Sequence, residues 1–510
     1  VRLEGMLRCS VFKITGWVVA LWIGVGAVGV HAKPSGPIRK AASPVSPALP
    51  AEVLRALRQA HVPEQALSVV IAPLPPSSGM SPPAPAYRLA HRADASMNPA
   101  SVMKLITTYA GLSLLGPDYT WRNRVFVDGN LRNGVLQGDL IFKGSGDPKL
   151  VLEHLQTLMA QIQAQGVREV RGDLVLDRSV FDIQPRPPGS FDDEALRPYN
   201  AAPDGLLVNF KSLIYTFTPD EAAGVARIRS EPPLAGLSIT PTVPLVSGPC
   251  NDWRSSVRGQ FGSPMQVVFG GSYPSTCGEK KWPVAYADPA QFSARVLQAM
   301  WLAAGGSLSG GVREGPTPAR ARLLTEAASL PLSDIVADIN KFSNNVMAQQ
   351  LFLSLSQPGR FDASRQRVLD WWHITLPGLP DPVLENGSGL SRHERSNAAA
   401  LTRLLQVAAT GPHAQVFQNS LGVAGVDGTV ARLKERNPNA AAIGQAWLKT
   451  GSLRDVSALA GYVQGASGQR YSLVAMINHD QAPAARAALD ALLEWTVRDI
   501  PVGGPKTQGP

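Results

Sequence analysis

Metal-binding patterns are missing from this 510-residue chain. Its three cysteines include no C-x-x-C pair and its eight histidines no H-x-x-x-H or related spacing, so no zinc site is expected. Basic stretches interleaved with aromatics are absent, as is any nucleic-acid motif, which argues against a nucleic-acid partner. No G-x-S-x-G elbow is present, which argues against an α/β-hydrolase. Gly144-Ser145-Gly146-Asp147 lacks the Lys-Ser/Thr pair of a phosphate loop and reads as a turn. No internal repeat of fixed period is evident. Beyond residue 30 no apolar run is long enough to cross a membrane, leaving at most peripheral membrane contact. No metal and no cofactor is expected.

The length suggests roughly two to four domains. Apolar residues make up 44% and charged residues 17%, as in an ordinary globular protein, and 43 prolines with 47 glycines imply many loops. The net charge is +9, and residues 1–32 carry three positive charges and one negative, leaving +7 on the remainder. Such a surface suits attraction to anionic wall polymer or lipid headgroups, or solubility alone.

Arg2, Arg8 and Lys13, the apolar stretch Ile14 to Val30 and the small residues of Val30-His31-Ala32 read as a secretory signal cleaved after Ala32, with Met6 as an alternative start. An uncleaved anchor is the competing reading, against which the run is short. The expected location is the periplasm. Cys9 falls in the signal, and Cys250 and Cys277 remain as an even pair in an oxidising compartment, so a disulfide between them is expected.

Residues 33–50, rich in Pro, Ala and Ser, read as a linker. Helical periodicity over Ala51 to His61 is followed by strands at Ala66 to Leu74 and near Ala86 to His91, then a helix from Ser101 to Leu115. From Thr120 to about Ala285 short β-like runs are divided by turns such as Asp128-Gly129 and Asn133-Gly134, with one helix at Leu150 to Gln165. Helices are expected from Pro289 to about Arg432, strands from Glu435 to Ile477, and a last helix at Ala482 to Arg498. The arrangement is α+β: one domain in two pieces, 51–119 and 286–500, split by mainly β insert domains at 120–285, with a flexible tail at 501–510.

Three short runs carry chemistry. Ser101 and Lys104 share a helix face at i and i+3, near an N-terminus that favours negative charge. A serine hydroxyl needs a base, and a buried lysine beside another positive charge can supply one. Ser343-Asn344-Asn345 offers a hydroxyl to relay a proton and an Asn345 amide to hold Lys104 or a substrate carbonyl; Ser and Asn also cap helices. Lys449-Thr450-Gly451-Ser452 offers positive charge, a hydroxyl for a carboxylate and a glycine leaving room for substrate backbone. The Ser452 and Ser101 N–H groups suit an oxyanion hole. Each run alone is weak. In this order, the first on a helix and the last on a strand, they form the S-x-x-K, S-x-N, K-T-G signature of penicillin-binding proteins and class A β-lactamases.

With the stretches NPASVMKLITTYAGLSLLGPDY, GVLQGDLIFKGSGDP, VRGDLVLDRSVFD, SNNVMAQQLF, ENGSGLSR, LKTGSLRDVSALAGYV and SGQRYSLVAMIN, the sequence resembles the D-alanyl-D-alanine carboxypeptidase/endopeptidases. These are low-molecular-mass penicillin-binding proteins with a large insert after the catalytic helix. The 239 residues from Lys104 to Ser343 suit that insert and are too many for a compact β-lactamase. The resemblance implies a penicillin-binding, serine β-lactamase-like domain of helices on an antiparallel sheet. It implies that Ser101 attacks the bond between two D-alanines, or a D-amino-acid cross-link, of peptidoglycan stem peptides. Lys104 would act as base, with Ser343, Asn345 and Lys449 as the proton and orientation network, and Thr450 near the terminal carboxylate; which group is the microscopic base stays open. β-Lactam antibiotics would be covalent inhibitors. Glu194 (or Asp193), Tyr199 and Arg392 match positions that hold the zwitterionic end of a diaminopimelate side chain, though surface ion pairing is the competing reading. Arg454 stands where a neutral polar residue is expected in some relatives. A serine β-lactamase and a non-catalytic wall-binding scaffold are the alternatives. No E-x-x-L-N motif is present to supply a deacylating glutamate, and the three intact motifs speak against a scaffold.

Overall fold

The computed structural model describes residues 48–74 and 87–499. The expected signal, residues 33–47 of the linker, the proline-rich loop with Ala86, and the tail lie outside them. Within the described residues the α+β expectation is met. A six-stranded antiparallel sheet runs in the order Gly422–Val423, Ala446–Leu453, Val456–Gln464, Arg470–Asn478, Leu67–Pro73, Leu89–His91. Leu67–Pro73 joins Arg470–Asn478, so the two ends of the chain close one sheet across the long insertion.

The near-continuous apolar run of Leu67–Pro73 follows from burial on both faces. Val70 and Ala72 enter one core, while Leu67, Val69 and Ile71 enter the other. The second core is covered by helices Ala51–Gln59 and Arg486–Val497. The first is the helical cluster. Its centre is Lys104–Leu115, in which every residue from Lys104 to Leu112 is buried. Leu332–Phe342 instead presents one stripe, Leu332, Ile335, Val336 and Ile339, at helical spacing.

The insertion begins with strands Arg122–Arg132 and Val135–Lys143, joined by a two-residue turn at Asn133 (φ 50°) and Gly134 (φ 84°), where left-handed backbone suits strand twist. The other expected turn, Asp128-Gly129, lies inside the strand. Gly129 faces Gly138, and a Cβ on Gly129 would sit 2.2 Å from the Gln137 carbonyl oxygen, so close strand approach explains this glycine. The expected border at residue 285 falls inside a packed unit. Helix Phe292–Ala303 sends Phe292, Val296, Leu297, Met300 and Trp301 into the insert's core. Strand Arg322–Ala328 then pairs antiparallel with Arg122–Arg132. Residues 307–328 therefore carry strands where helices were expected, because the insert recruits them to finish its sheet. Cys250 and Cys277 are disulfide-bonded within it, as expected. Among the described residues no helix is long and apolar enough to cross a membrane.

Candidate active site

A clamp across the chain shapes the turn before Ser101. The Asn98 N–H donates to Asn478 Oδ1 at 2.7 Å, and Asn478 Nδ2 donates back to the Asn98 carbonyl at 2.9 Å. Asn98 Oδ1 then accepts the Ala100 N–H at 2.8 Å, and Ala100 takes φ 46°. Ser101 consequently sits in a single 3-10 turn, Ala100–Met103, and the α-helix begins at Lys104 rather than at Ser101. The tight turn leaves Ser101 half-buried and Lys104 fully buried.

Lys104 Nζ donates to Ser101 Oγ at 2.8 Å, to Asn345 Oδ1 at 2.6 Å and to the Ser388 carbonyl. Burial lowers its pKa to about 7, against a weaker upward pull from the Glu394 carboxylate. Of the three partners only the Ser101 hydroxyl can reverse its role and donate. A neutral Lys104 amine can thus keep donating to Asn345 and Ser388 while its lone pair faces the Ser101 O–H.

Lys449, also fully buried, donates to Ser343 Oγ and to the Thr450 carbonyl, both at 2.8 Å. Burial, and then the neighbouring Lys104 charge, push its pKa well below the usual lysine value. Ser343 ends helix Leu332–Phe342 in a left-handed conformation (φ 58°), and Asn344 caps helix Asn345–Leu353 by accepting the Met347 N–H at 3.1 Å. The S-x-N run is therefore a junction of two helices. The capping role belongs to its middle residue, which frees Ser343 and Asn345 to face the lysines.

Gly451 corrects an expectation. A Cβ there would lie 2.5 Å from the Pro99 carbonyl oxygen and 3.2 Å from the Ala100 Cβ. The space it leaves is filled by the protein's own Ser101-bearing turn, not reserved for substrate. Thr450 Oγ1 lies 2.7 Å from Thr429 Oγ1, and Ser452 is exposed. A cavity of about 450 Å³ opens beside Ser343 and Asn345, walled by Phe210, Ile214, Glu231 and the rim residue Phe342.

The expected acid and arginine of the specificity site each have a protein partner of their own. Glu194 pairs with Arg197 at 3.3 Å, Asp193 is exposed, and Arg392 pairs with Asp455 at 2.9 Å while lying 4.6 Å over the Phe191 ring. The acid between them is Asp192, which accepts the Tyr199 hydroxyl at 2.8 Å and Asn200 Nδ2 at 2.6 Å. Partial burial pushes its carboxyl up, but those donors and the Arg392 charge hold it below its ordinary value. Burial and Asp192 raise the Tyr199 hydroxyl to about 12. The Tyr199 carbonyl accepts from Asn345 Nδ2 at 3.1 Å, so the insert touches the site directly. In the sequence Gly387-Ser388-Gly389 reads as a tight backbone approach near the site, and Asn98-Pro99-Ala100 as an interruption before the helix. The Ser388 carbonyl on Lys104 and Gly389 against Ala100 meet the first reading. Asn478, Thr429 and Asp192 were not named from the sequence.

A buried lysine bonded to a half-buried serine, between an antiparallel sheet and a helical cluster, defines a penicillin-binding, β-lactamase-like fold with additional domains. Known proteins agree. The structure of penicillin binding protein 4 (dacB) from Haemophilus influenzae superposes with a TM-score of 0.66 at 21% identity, covering 87% of this chain and 99% of that one. A D-alanyl-D-alanine carboxypeptidase from an Actinomadura species is 31% identical over 444 residues, 81% of this chain and 80% of its own length. The D-alanyl-D-alanine carboxypeptidase DacB of Haemophilus influenzae is 25% identical over 395 residues, 74% of this chain and 80% of its own length. The model of the D-Ala-D-Ala carboxypeptidase 3 (S13) family matches residues 85–498. The chain belongs to that family of serine peptidases.

Proposed function

We propose that this enzyme cleaves both D-Ala-D-Ala termini and D-amino-acid cross-links of peptidoglycan through an acyl-Ser101 intermediate, in the periplasm after export by its N-terminal signal. The observation that carries the reading is the 2.8 Å contact between Ser101 Oγ and a buried Lys104 amine whose pKa lies near 7.

In acylation the Ser101 proton passes to the neutral Lys104 amine while Oγ bonds to the carbonyl carbon of the penultimate D-alanine. The carbon–nitrogen bond breaks, and the proton taken up by Lys104 is passed on to the leaving amine through Ser343 and Lys449, which returns Lys104 to its neutral form. Water then repeats the attack, and the acyl–oxygen bond breaks to restore Ser101. Asn345 holds Lys104 and the substrate carbonyl, Thr450 takes the terminal carboxylate, and Gly451 sets the spacing at which the Ser101 and Ser452 N–H groups stabilise the oxyanion. Such a donor is worth about 3–4 kcal/mol in other enzymes. Tyr199 and Arg392 bind the stem-peptide side chain, with Glu194 at the rim. The cavity beside Ser343 supports the endopeptidase part, since it offers room beyond a terminal D-alanine. A complex of the Haemophilus penicillin binding protein 4 with a β-lactam supports covalent inhibition by that class. The peptidase domain is proposed as two pieces meeting the insert near residues 120 and 330, the second border moved from 285 by the pairing of Arg322–Ala328.

Digesting purified cross-linked and uncross-linked muropeptides, with mass spectrometry, tests the activity. Loss of terminal D-alanine and splitting of dimers are both expected; release of D-alanine alone removes the endopeptidase claim. Fluorescent penicillin should label the protein but not Ser101→Ala. Equal labelling of the two rejects the acyl-serine reading, and release of the adduct within seconds indicates a β-lactamase.

A further inference from the structure

Glu394 lies outside all three motifs, yet its carboxylate is fully buried and, among the described residues, makes no ion pair. Four backbone N–H groups converge on it instead. Oε1 accepts from Glu385 at 3.0 Å, Asn386 at 2.9 Å and Gly387 at 2.8 Å, and Oε2 accepts from Gly389 at 2.8 Å. Burial raises the Glu394 carboxyl above its ordinary value and the four backbone donors pull it back down. An ionised carboxylate is an acceptor only and suits such a nest of donors, whereas a protonated one would aim its own O–H among them.

The loop held this way is built against the catalytic turn. Its Ser388 carbonyl accepts from Lys104 Nζ, its Gly387 carbonyl from Thr107 Oγ1 at 2.6 Å, and its Ser391 carbonyl from Asn98 Nδ2 at 3.0 Å. Gly387 and Gly389 have φ of 72° and 79°, which turns the N–H groups inward. A Cβ on Gly389 would lie 2.0 Å from the Ala100 carbonyl oxygen and 2.7 Å from the Ser101 nitrogen. The loop therefore has no slack: moving it moves either the Lys104 acceptor or the Ser101 backbone.

We propose that Glu394 is a positioning residue for acyl transfer, fixing the Ser388 carbonyl on the Lys104 amine through its four backbone bonds and setting a negative charge near that amine. The inference rests on Lys104 acting as the base. Around Lys104 the strand Ala446–Leu453 contributes the Lys449 amine, helix Asn345–Leu353 the neutral Asn345, and the loop the carboxylate of Glu394. Glu394 is the group that pulls the Lys104 amine back up against burial.

Glu394→Gln tests this. The amide keeps the size but loses the charge, and whichever way it lies its NH₂ faces at least one N–H. Second-order acylation by fluorescent penicillin is measured from pH 5 to 9. The midpoint of the acid limb should move down by about one pH unit or more, the size expected for losing an opposite charge nearby, and the plateau should fall at least about tenfold. A merely structural carboxylate would lower the plateau through unfolded protein and leave the midpoint where it was, so an unmoved midpoint overturns the proposal at any plateau. Glu394→Asp, which keeps the charge on a shorter arm, covers the case where the amide variant does not fold. It should keep the midpoint and lose plateau rate; a wild-type plateau overturns the positioning role. If wild type is not labelled at all, the acyl-serine reading fails instead.

Discussion

Acylation should follow the charge of Lys104. With a pKa near 7 the amine is about half neutral at pH 7, about one-tenth at pH 6 and about one-hundredth at pH 5. Only the neutral amine can take the Ser101 proton. The second-order rate constant for acylation by a fluorescent penicillin should therefore rise about fiftyfold from pH 5 to pH 7, gain about a further factor of two, and level off by pH 9. The logarithmic slope on the acid side should be close to +1. As pH falls, a proton gained by Lys104, beside Glu394, disfavours a second charge on the buried Lys449. Lys104→Arg sharpens the assay, because a guanidinium stays protonated up to pH 12 or above and should cost about a thousandfold or more at pH 8. Gel-resolved labelling at fixed ionic strength reads both. A rate flat between pH 5.5 and 8, or a midpoint above 9, would mean that Lys104 is not the group losing its proton, and the mechanism would be wrong.

Lys104→Met should abolish acylation yet raise the unfolding free energy at pH 7. Between the folded pKa near 7 and the unfolded value near 10.4 the unfolded chain binds the extra proton, so stability climbs with pH in that window and the native lysine is penalised below it. The gain should be of the order of a few kcal/mol less the lost hydrogen bonds, shrinking as pH rises; a net loss in urea titrations at pH 7 contradicts it. Gly389→Ala places a methyl against Ala100 and Ser101 and should cut penicillin labelling at least about a hundredfold, a loss checked by labelling kinetics on protein of native circular dichroism. Cys250→Ser with Cys277→Ser opens a loop spanning 27 residues and should cost about 3–4 kcal/mol in the insert. Labelling of Ser101 should persist, and calorimetry should show the fall.

The three motifs were legible because acyl transfer demands particular side chains, and side chains are what a sequence displays. The strands Leu67–Pro73 and Ala446–Asn478 were legible because burial on both faces leaves long apolar runs. The far border of the insert was not. Arg322–Ala328 is an edge strand with an irregular register and mixed exposure, so its pattern carries little signal until its partner strand is known. Asp192 was passed over for Glu194 because three acids stand within three positions, and only backbone turns decide which one meets Tyr199. Glu394 was invisible for another reason. It binds backbone N–H groups, and a backbone acceptor site leaves no residue-type signature.

The paired amides of Asn98 and Asn478 sit 380 residues apart in the chain. Nothing made before Asn478 can replace the clamp that shapes the Ser101 turn. The insert can close its own hairpins early, since its first two strands are neighbours in sequence. The peptidase half must wait for nearly the last strand. A carboxypeptidase assembled this way stays inert until nearly its last strand is in place.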